Sequence, residues 1–265
     1  MKNNNILKLF RPYEVSGLTR LGHEFDGGYI VHSPSLNDAD YLINYGVGYN
    51  VVFEKDFYKT TNKPTLAFDP TLKDLKPIFE KLFKGQVIYF LRHLKNYLGW
   101  KKTEATLPEY KIDFIEEGIS DVDTPKYKTF KYHFDKYGLA DKSIIFKLDV
   151  EGYEYAVFKD ETIYPLLNNA VQIYIEFHSL KERLHEAANI IAKLQETHSL
   201  VHIHANNHSD FFNYEGEMVP DTIEVTFLLN KYLPVKEPSK QKYPIEGLDR
   251  PCHRLKPDPE LTFFY

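Results

Sequence analysis

Short apolar runs alternate with helical patterns along most of this chain. The runs are rich in β-branched and aromatic residues and stop abruptly at polar residues or glycines, which is typical of buried strands. Seven strands are predicted on this basis, over residues 41–45, 65–68, 111–116, 143–148, 170–177, 200–204 and 222–229. Helical patterns separate most of these strands, and the clearest of them cover residues 75–83 and 180–194.

The repeated alternation of strand and helix predicts a doubly wound α/β fold, in which helices cover both faces of a mostly parallel sheet. The last two predicted strands have no helical pattern between them, so one antiparallel strand is expected near the edge of the sheet. The sequence shows neither an internal repeat nor a linker. We therefore expect a single domain over residues 1–265, with an N-terminal extension at 1–40 and an irregular tail at 234–265.

Three stretches have weaker patterns. Residues 87–91 fit either a strand or a short helix, residues 101–108 are typical of an exposed loop, and one helix is expected from about residue 151 to 167. A polar loop is expected between the last two strands.

Composition restricts the classes of function. The chain has 265 residues and a formal net charge of −5 at pH 7. This balance implies no strongly basic face, so nucleic acid is not expected as the main partner. The single cysteine, Cys252, excludes an internal disulfide framework, and no window approaches the roughly 20 apolar residues that span a bilayer. We expect a cytoplasmic protein without a membrane span.

Two glycines follow the first strand of the alternation. Gly46-Val-Gly48 would let the backbone approach a ligand closely. A dinucleotide fingerprint would need a third glycine at the position of Val51, so the motif is only a weak indication of a pyrophosphate. A plain tight turn explains the two glycines equally well.

Polar residues end the next two strands. Asp69 stands where an acid accepts the ribose hydroxyls of a nucleotide in doubly wound folds, although it could also simply open the turn Asp-Pro-Thr. Its separation from Gly48 is close to the roughly 20 residues that the ribose role requires. Ser120, which follows Gly118 and Ile119, could add a polar contact to a wall facing adenine, or could belong to a turn only.

Acidic and histidine residues at the later strand ends are candidates for catalysis. Asp149 ends the strand at 143–148, and Glu176 and His178 lie two residues apart, so that both point to the same side. A histidine is the usual general base near neutral pH, and a carboxylate beside it would orient the ring and raise its basicity. His204 is a second candidate base.

Two asparagines and a metal complete the candidate chemistry. Asn206 and Asn207 offer donors and acceptors that suit a polyhydroxylated ligand. A divalent metal, Mg²⁺ or Mn²⁺, would find oxygen and nitrogen ligands in Asp149, Glu176 and either His178 or His204. No dense ligand motif supports a metal site, so a metal-free base is favoured.

Several of these segments together resemble the FkbM-type family of S-adenosylmethionine-dependent methyltransferases. The most specific piece is Lys147-Leu-Asp-Val-Glu-Gly-Tyr-Glu154, which resembles the family signature K-[IL]-D-[VI]-E-G-x-E, and Glu117-Gly-Ile-Ser120 lies upstream of it. Other segments resemble a methyltransferase-like subgroup: Asp26-Gly-Gly-Tyr29, Tyr45-Gly-Val-Gly48, Phe53-Glu54, Phe68-Asp69-Pro70-Thr71 and His204-Ala-Asn-Asn207. The resemblance covers most of residues 20–230.

The resemblance implies a class I methyltransferase fold with seven strands, the last antiparallel, and S-adenosylmethionine as the cofactor. By analogy, Asp149 would lie between the methyl group and the acceptor. The first strand reads Asn44-Tyr-Gly-Val-Gly instead of the common acidic E/D-x-G-x-G form, and Glu54 would supply the missing carboxylate. Five residues would hold the cofactor in addition to Asp149: Gly46, Gly48, Glu54, Asp69 and Ser120.

The family resemblance also implies O-methylation, often of sugars or natural products. We therefore expect methyl transfer to a hydroxyl of a sugar or nucleotide-sugar, such as a surface-polysaccharide precursor, with His178 or His204 as the base and Asp149 or Glu176 assisting. Two alternatives stay open. One is an NAD(P)-dependent oxidoreductase, which Val51 argues against, and the other is a non-catalytic carbohydrate-binding domain on a methyltransferase fold. The oligomeric state does not follow from the sequence.

Overall fold

The computed structural model describes residues 6–73 and 87–265. The strands in these ranges are β1 (Leu18–Gly22), β2 (Gly28–His32), β3 (Tyr41–Tyr45), β4 (Thr65–Phe68), β5 (Ile112–Ile115), β6 (Gly118–Ile119), β7 (Tyr127–Lys128), β8 (Ile144–Leu148), β9 (Ala170–Phe177), β10 (His198–Ala205), β11 (Phe211–Tyr214), β12 (Glu217–Pro220) and β13 (Ile223–Leu229). The α-helices are α1 (Val52–Thr61), α2 (Val87–Glu104), α3 (Phe130–Lys136), α4 (Glu154–Lys159), α5 (Ile163–Leu167) and α6 (Leu180–Leu194). Short 3₁₀ helices lie at Ile6–Phe10, Ser33–Asp38, Leu107–Tyr110 and Asn230–Tyr232. The helix predicted over residues 75–83 lies outside the described residues.

Seven strands form one sheet in the order β10-β13-β9-β8-β3-β4-β5. Strands β9, β8, β3, β4 and β5 pair in parallel, whereas β13 runs antiparallel to both of its neighbours. This confirms the predicted doubly wound, mostly parallel α/β sheet with one antiparallel strand, which is the class I methyltransferase arrangement. The antiparallel strand lies one position in from the edge, because β10 pairs with its outer side.

The centre of the sheet is buried on both faces. All residues of β8 and β9 are buried, which explains why these strands are nearly continuous apolar runs and not alternating patterns. Lys147 is the one charged residue of β8. It is buried as well and stands one residue before the strand ends. Charged residues in such a position are rarely buried without a partner, so Lys147 marks the sheet end where the functional site is to be sought.

Three local predictions differ from the structure. Residues 87–91 belong to the 18-residue helix α2, which extends into the predicted loop at 101–108 because Trp100 is buried against Phe114 of β5. The helix expected over 151–167 is divided into α4 and α5, since Asp160 is extended and its carboxylate accepts a hydrogen bond from the main-chain N–H of Thr162. The polar loop after β10 contains the hairpin β11–β12.

Both chain extremities pack on the sheet. Strands β1 and β2 form an antiparallel hairpin, and all of β2 is buried. In the tail, which has isolated bridges but no longer strand, Tyr243, Phe263 and Phe264 are almost fully buried, and Phe263 contacts Phe10 edge to face. Within the described ranges, none of the helices is long and apolar enough to cross a membrane.

Candidate functional site

A crevice of about 660 Å³ opens at the carboxyl ends of β3, β4, β8 and β9. Ligands bind at this edge in open α/β sheets, since the loops that follow parallel strands converge there. Its lining includes, from the N-terminal half of the chain, Asp26, Gly46, Gly48, Asn50, Glu54, Asp69 and Thr71. From the later half it includes Lys147, Asp149, Glu151, Glu176, His178, Asn206 and His208.

A smaller apolar pocket of about 210 Å³ adjoins the crevice. Gly46, Asp69, Thr71, Asp149 and Glu151 line both cavities. The pocket walls include Pro70, Ile119, Tyr127 and Tyr153, and the two tyrosine rings are stacked with an interplanar angle of 10° and centroids 6.1 Å apart. Flat apolar walls of this kind suit a heteroaromatic ring.

The predicted wall residue Ser120 lies next to this pocket without lining it. Its hydroxyl donates a hydrogen bond to the carboxylate of Asp121 at 3.1 Å, while Gly118 and Ile119 face the pocket. The segment predicted to form the wall thus reaches the pocket through Gly118 and Ile119, and two tyrosines that the sequence analysis did not single out line it as well. The role of this segment as an adenine-facing wall stays a prediction.

Asp69 and Asp149 open into the same crevice. The carboxylate of Asp69 accepts hydrogen bonds from the main-chain N–H of Gly48 at 3.0 Å and from the N–H and hydroxyl of Thr71 at 2.8 and 2.6 Å. These bonds fix the turn Asp-Pro-Thr and connect it to the glycine loop. Oδ1 accepts both Thr71 hydrogen bonds, whereas Oδ2 accepts only that of Gly48 and has capacity for a further one, so the turn and a ligand are compatible uses of Asp69.

Gly46 brings two strand ends close together. It has a φ of +82°, and a Cβ at this position would lie 1.5 Å from the main-chain oxygen of Asp149. Any other residue would push β3 and β8 apart, so Gly46 fixes the width of the crevice. Gly48 also has positive φ, at +61°, but a Cβ there would meet nothing within 4 Å.

Glu54 lies at the inner end of the crevice, on the first turn of α1. The amide of Asn44 donates a hydrogen bond to Oε1 of Glu54, while Oε2 is buried and has no hydrogen-bond partner within the described residues. Burial raises the pKa of Glu54 to about 7, although Lys147 and the Asn44 amide act in the opposite direction. Glu54 thus contacts Asn44 of the first strand, and its role in place of the acid that this strand lacks stays a prediction.

Asp149 is held by groups from two elements. The hydroxyl of Tyr29 on β2 donates a hydrogen bond to its Oδ2 at 2.9 Å. The ammonium of Lys147 lies 3.7 Å from the same oxygen and 4.5 Å from the centroid of the Tyr29 ring. Tyr29 and Lys147 occur in the segments that resemble the family, but the sequence analysis gave neither a role at the site.

His178 forms a carboxylate–histidine pair with Glu154. Its Nδ1 lies 2.5 Å from Oε1 of Glu154, which is fully buried, and its Nε2 lies 3.6 Å from Glu151 and 3.7 Å from Glu176. Burial lowers the pKa of His178, but the Glu154 hydrogen bond and the charges of Glu154, Asp149 and Glu151 outweigh it and raise the pKa above its ordinary value. The carboxylate that contacts Nδ1 is therefore Glu154 on α4, whereas the sequence analysis names Asp149 or Glu176 as the assisting acid.

Glu176 is buried beside Asp149 and bound by neutral donors. Asn206 donates its amide hydrogen to Oε1 at 2.7 Å, and the Tyr29 hydroxyl lies 3.4 Å from Oε2. Burial, followed by the charges of Asp149 and Glu224, raises the pKa of Glu176 well above its usual range.

His204 and Asn207 face the C-terminal tail and do not line the crevice. Nε2 of His204 lies 2.9 Å from Asp258 and its Nδ1 lies 3.4 Å from Glu224. Although burial opposes it, hydrogen bonding to these two carboxylates raises the pKa of His204 to about 10, so the ring is protonated at neutral pH and has no lone pair to offer. The Asn207 side chain is fully used by the main chain of residues 253, 256 and 257.

Within residues 6–73 and 87–265, two groups of side chains each place three potential metal-ligand atoms within 4.8 Å of one another. One contains Asp149, Glu151 and His178. The other contains His204, Glu224 and Cys252, and His204 would first have to lose the proton that Asp258 and Glu224 stabilise. The first overlaps the predicted metal ligands Asp149 and His178, with Glu151 in place of Glu176. The preference for a metal-free base stays a prediction.

Comparison with known proteins gives matches among solved structures only. No family model matches the chain, and no curated protein matches it. Among solved structures, a candidate rRNA methylase from Clostridium thermocellum is 11% identical and covers 72% of this chain and 88% of its own, with a TM-score of 0.37. A candidate RNA methyltransferase from Pyrococcus horikoshii is 8% identical over 73% of this chain and 76% of its own, with a TM-score of 0.32.

A precorrin-6y C5,15-methyltransferase from Geobacter metallireducens is 8% identical over 74% of this chain and 86% of its own, with a TM-score of 0.37. Likenesses this weak carry no argument about substrate or activity. The fold assignment rests on the strand order and directions of the sheet itself, and membership of the FkbM-type family stays a prediction.

Proposed function

We infer that this chain is an S-adenosylmethionine-dependent O-methyltransferase that acts on a hydroxyl of a sugar. The observation that supports this most is the shared crevice of Asp69 and Asp149 at the carboxyl ends of β4 and β8, with an apolar pocket beside it. S-adenosylmethionine consists of an aromatic base, a ribose and a charged amino-acid end. The apolar pocket would take the base, and the adjoining acidic crevice would take the ribose and the charged end.

The residues present fit such a cofactor. Ile119, Tyr127 and Tyr153 would enclose the adenine, and Asp69 would accept the ribose hydroxyls. Glu54 would face the ammonium group of the methionine part, which would give a partner to a buried carboxylate oxygen that has none among the described residues. The glycine loop at 46–48 would leave room for the chain between them.

The cofactor, when bound, supplies the methyl group as a sulfonium electrophile. His178 donates Nδ1–H to Glu154, which leaves the Nε2 lone pair directed to the crevice. Nε2 of His178 would take up the hydroxyl proton as the acceptor oxygen replaces the sulfur on the methyl carbon, so that the products would be a neutral ether, S-adenosylhomocysteine and a protonated His178. Asp149 would position the acceptor beside the methyl group, and Glu176 and Asn206 would bind further hydroxyls of a sugar.

Isothermal titration with S-adenosylhomocysteine tests the cofactor assignment. We expect binding to the wild-type protein and roughly 10- to 100-fold weaker binding to Asp69→Asn, since hydrogen bonds to a charged group contribute about 1.5–3 kcal/mol. Asp113→Asn, an exposed aspartate on the neighbouring strand β5, is the matched control and should bind as the wild type does. Binding of NADH with no affinity for S-adenosylhomocysteine would instead identify an oxidoreductase.

A further inference from the structure

The crevice has an unusual charge balance. Six carboxylates line it, whereas Lys147 is the only lysine or arginine among the described lining residues. The chain as a whole has 38 acidic and 33 basic residues, so the imbalance is local to the crevice. The six acids are Asp26, Glu54, Asp69, Asp149, Glu151 and Glu176.

The one lysine does not neutralise the group. Lys147 is buried, and its ammonium lies against the Tyr29 ring and 3.7 Å from Asp149. Two histidines also line the crevice: His208, and His178, which is bound through Nδ1 to Glu154, a seventh carboxylate behind the crevice wall. Among the described lining residues, carboxylates therefore still outnumber the lysine and the two histidines, and negative charge predominates.

The cofactor would use only part of this charge. Its ribose and ammonium groups would meet Asp69 and Glu54, which leaves four acids on the acceptor side. Glu176 is 3% exposed and, within the described residues, receives hydrogen bonds from the neutral groups of Asn206 and Tyr29, while Nε2 of His178 lies 3.7 Å from its Oε1. Burial, together with the charges of Glu224 and Asp149, also raises the pKa of Asp26, although His208 and the N–H of Gly27 act in the opposite direction.

We propose that the acceptor carries a protonated amine, as an amino sugar does, and that Asp26, Asp149, Glu151 and Glu176 bind it. This proposal rests on the proposed function and narrows its acceptor. An ammonium group would supply the missing counter-charge and donate up to three hydrogen bonds to these carboxylates. A phosphate or nucleotide diphosphate would bring like charges together, so the structure disfavours the nucleotide-sugar acceptor expected from the sequence.

Calorimetric titration of the S-adenosylhomocysteine complex with glucosamine, glucose and glucose 6-phosphate tests the proposal, at about pH 6.5 so that the amine is protonated. We expect glucosamine to bind at least about tenfold more tightly than glucose, because a charged hydrogen bond commonly contributes that much. Glucose 6-phosphate should bind no more tightly than glucose. Added NaCl should weaken the binding of glucosamine and leave that of glucose unchanged.

Variants distinguish recognition of an amine by these carboxylates from other causes of a binding preference. Asp26→Asn should weaken glucosamine binding several-fold without affecting glucose, and the exposed Asp141→Asn should change neither. Glucosamine that binds no better than glucose, or not at all, overturns the proposal. So does MgCl₂ that binds through Asp149, Glu151 and His178 and abolishes the preference for the amine. Failure to bind S-adenosylhomocysteine, with the amine preference kept in the free protein, would instead refute the methyltransferase assignment alone.

Discussion

Replacing Glu154 by glutamine should lower the pKa of His178. Nδ1 of His178 lies 2.5 Å from the Glu154 carboxylate, which is fully buried, so the imidazolium form loses a charge-assisted hydrogen bond that water cannot replace. Such a bond contributes about 1.5–3 kcal/mol, and one pKa unit corresponds to about 1.36 kcal/mol. The pKa of His178 should therefore fall by about one to two units.

The lower pKa of His178 determines the direction in which the pH profile of activity should change. A lower pKa leaves more of His178 neutral at mildly acidic pH, so the acid limb of the pH profile of kcat/KM should move to lower pH. The rate on the plateau should fall by about tenfold or more, because the weaker base accepts the proton less readily and Glu154 no longer fixes the tautomer. The three other carboxylates that face the ring, Asp149, Glu151 and Glu176, are unchanged in this variant.

NMR titration of the His178 ring protons measures this pKa without any acceptor, and the His178→Gln variant assigns the signal. Glu151→Gln is the control, since its carboxylate is 3.6 Å from Nε2 and its side chain is 88% exposed. Solvent screening should confine its effect to less than about half a unit. An unchanged His178 pKa in Glu154→Gln, or an equal shift in both variants, would refute the role given to Glu154.

Three further predictions concern stability, each checked by urea denaturation. Gly46→Ala should destabilise the fold by about 3 kcal/mol or more, because its Cβ would overlap the main chain of Asp149. Gly48→Ala has only its positive φ to accommodate and should lose about 1–2 kcal/mol. Equal losses would contradict the close approach of Gly46 to Asp149. Burial lowers the pKa of His198 from 6.5 to about 4, so between these pH values the unfolded chain binds one more proton than the folded chain, and stability falls as the pH is lowered. His198→Gln should remove up to about 3 kcal/mol of that loss. Parallel curves of stability against pH for the variant and the wild type would disprove this. Phe264→Ala should lower the free energy of unfolding by about 3–5 kcal/mol, because Phe264 is buried. Leu255 is 80% exposed, so Leu255→Ala should lower it by at most about 0.5 kcal/mol. An equally small loss for Phe264→Ala would show that the tail is not part of the core.

The sheet could be predicted from the sequence because each strand is a compact apolar run bounded by polar residues. The missing helix between the last two strands likewise predicted the antiparallel strand. Errors arose where a single contact, distant or local, decides the structure. Trp100 extends α2 by packing on Phe114, and Asp160 interrupts a helix through a local hydrogen bond that the apolar pattern does not reveal.

The candidate site, like the fold, could be predicted only in part. Strand ends predicted that Asp69, Asp149 and Glu176 would approach each other, since topology alone brings them to one edge. The partners of each side chain depend on packing across long sequence separations, as with Tyr29 and Asp149, which are 120 positions apart. For the same reason, His204 could not be recognised from its strand position as a partner of Asp258.

The attachment of the segment at residues 253–258 to β10 makes one wall of the crevice depend on a distant part of the chain. Asn207 is hydrogen-bonded to the main chain of residues 253–257, and the preceding Asn206 holds Glu176 in the crevice wall. All seven strands of the sheet precede this segment, so the sheet can form first, but Asn207 and His204 then lack their contacts with it. The wall that Asn206 supports is therefore completed only when residues 253–258 have packed against β10.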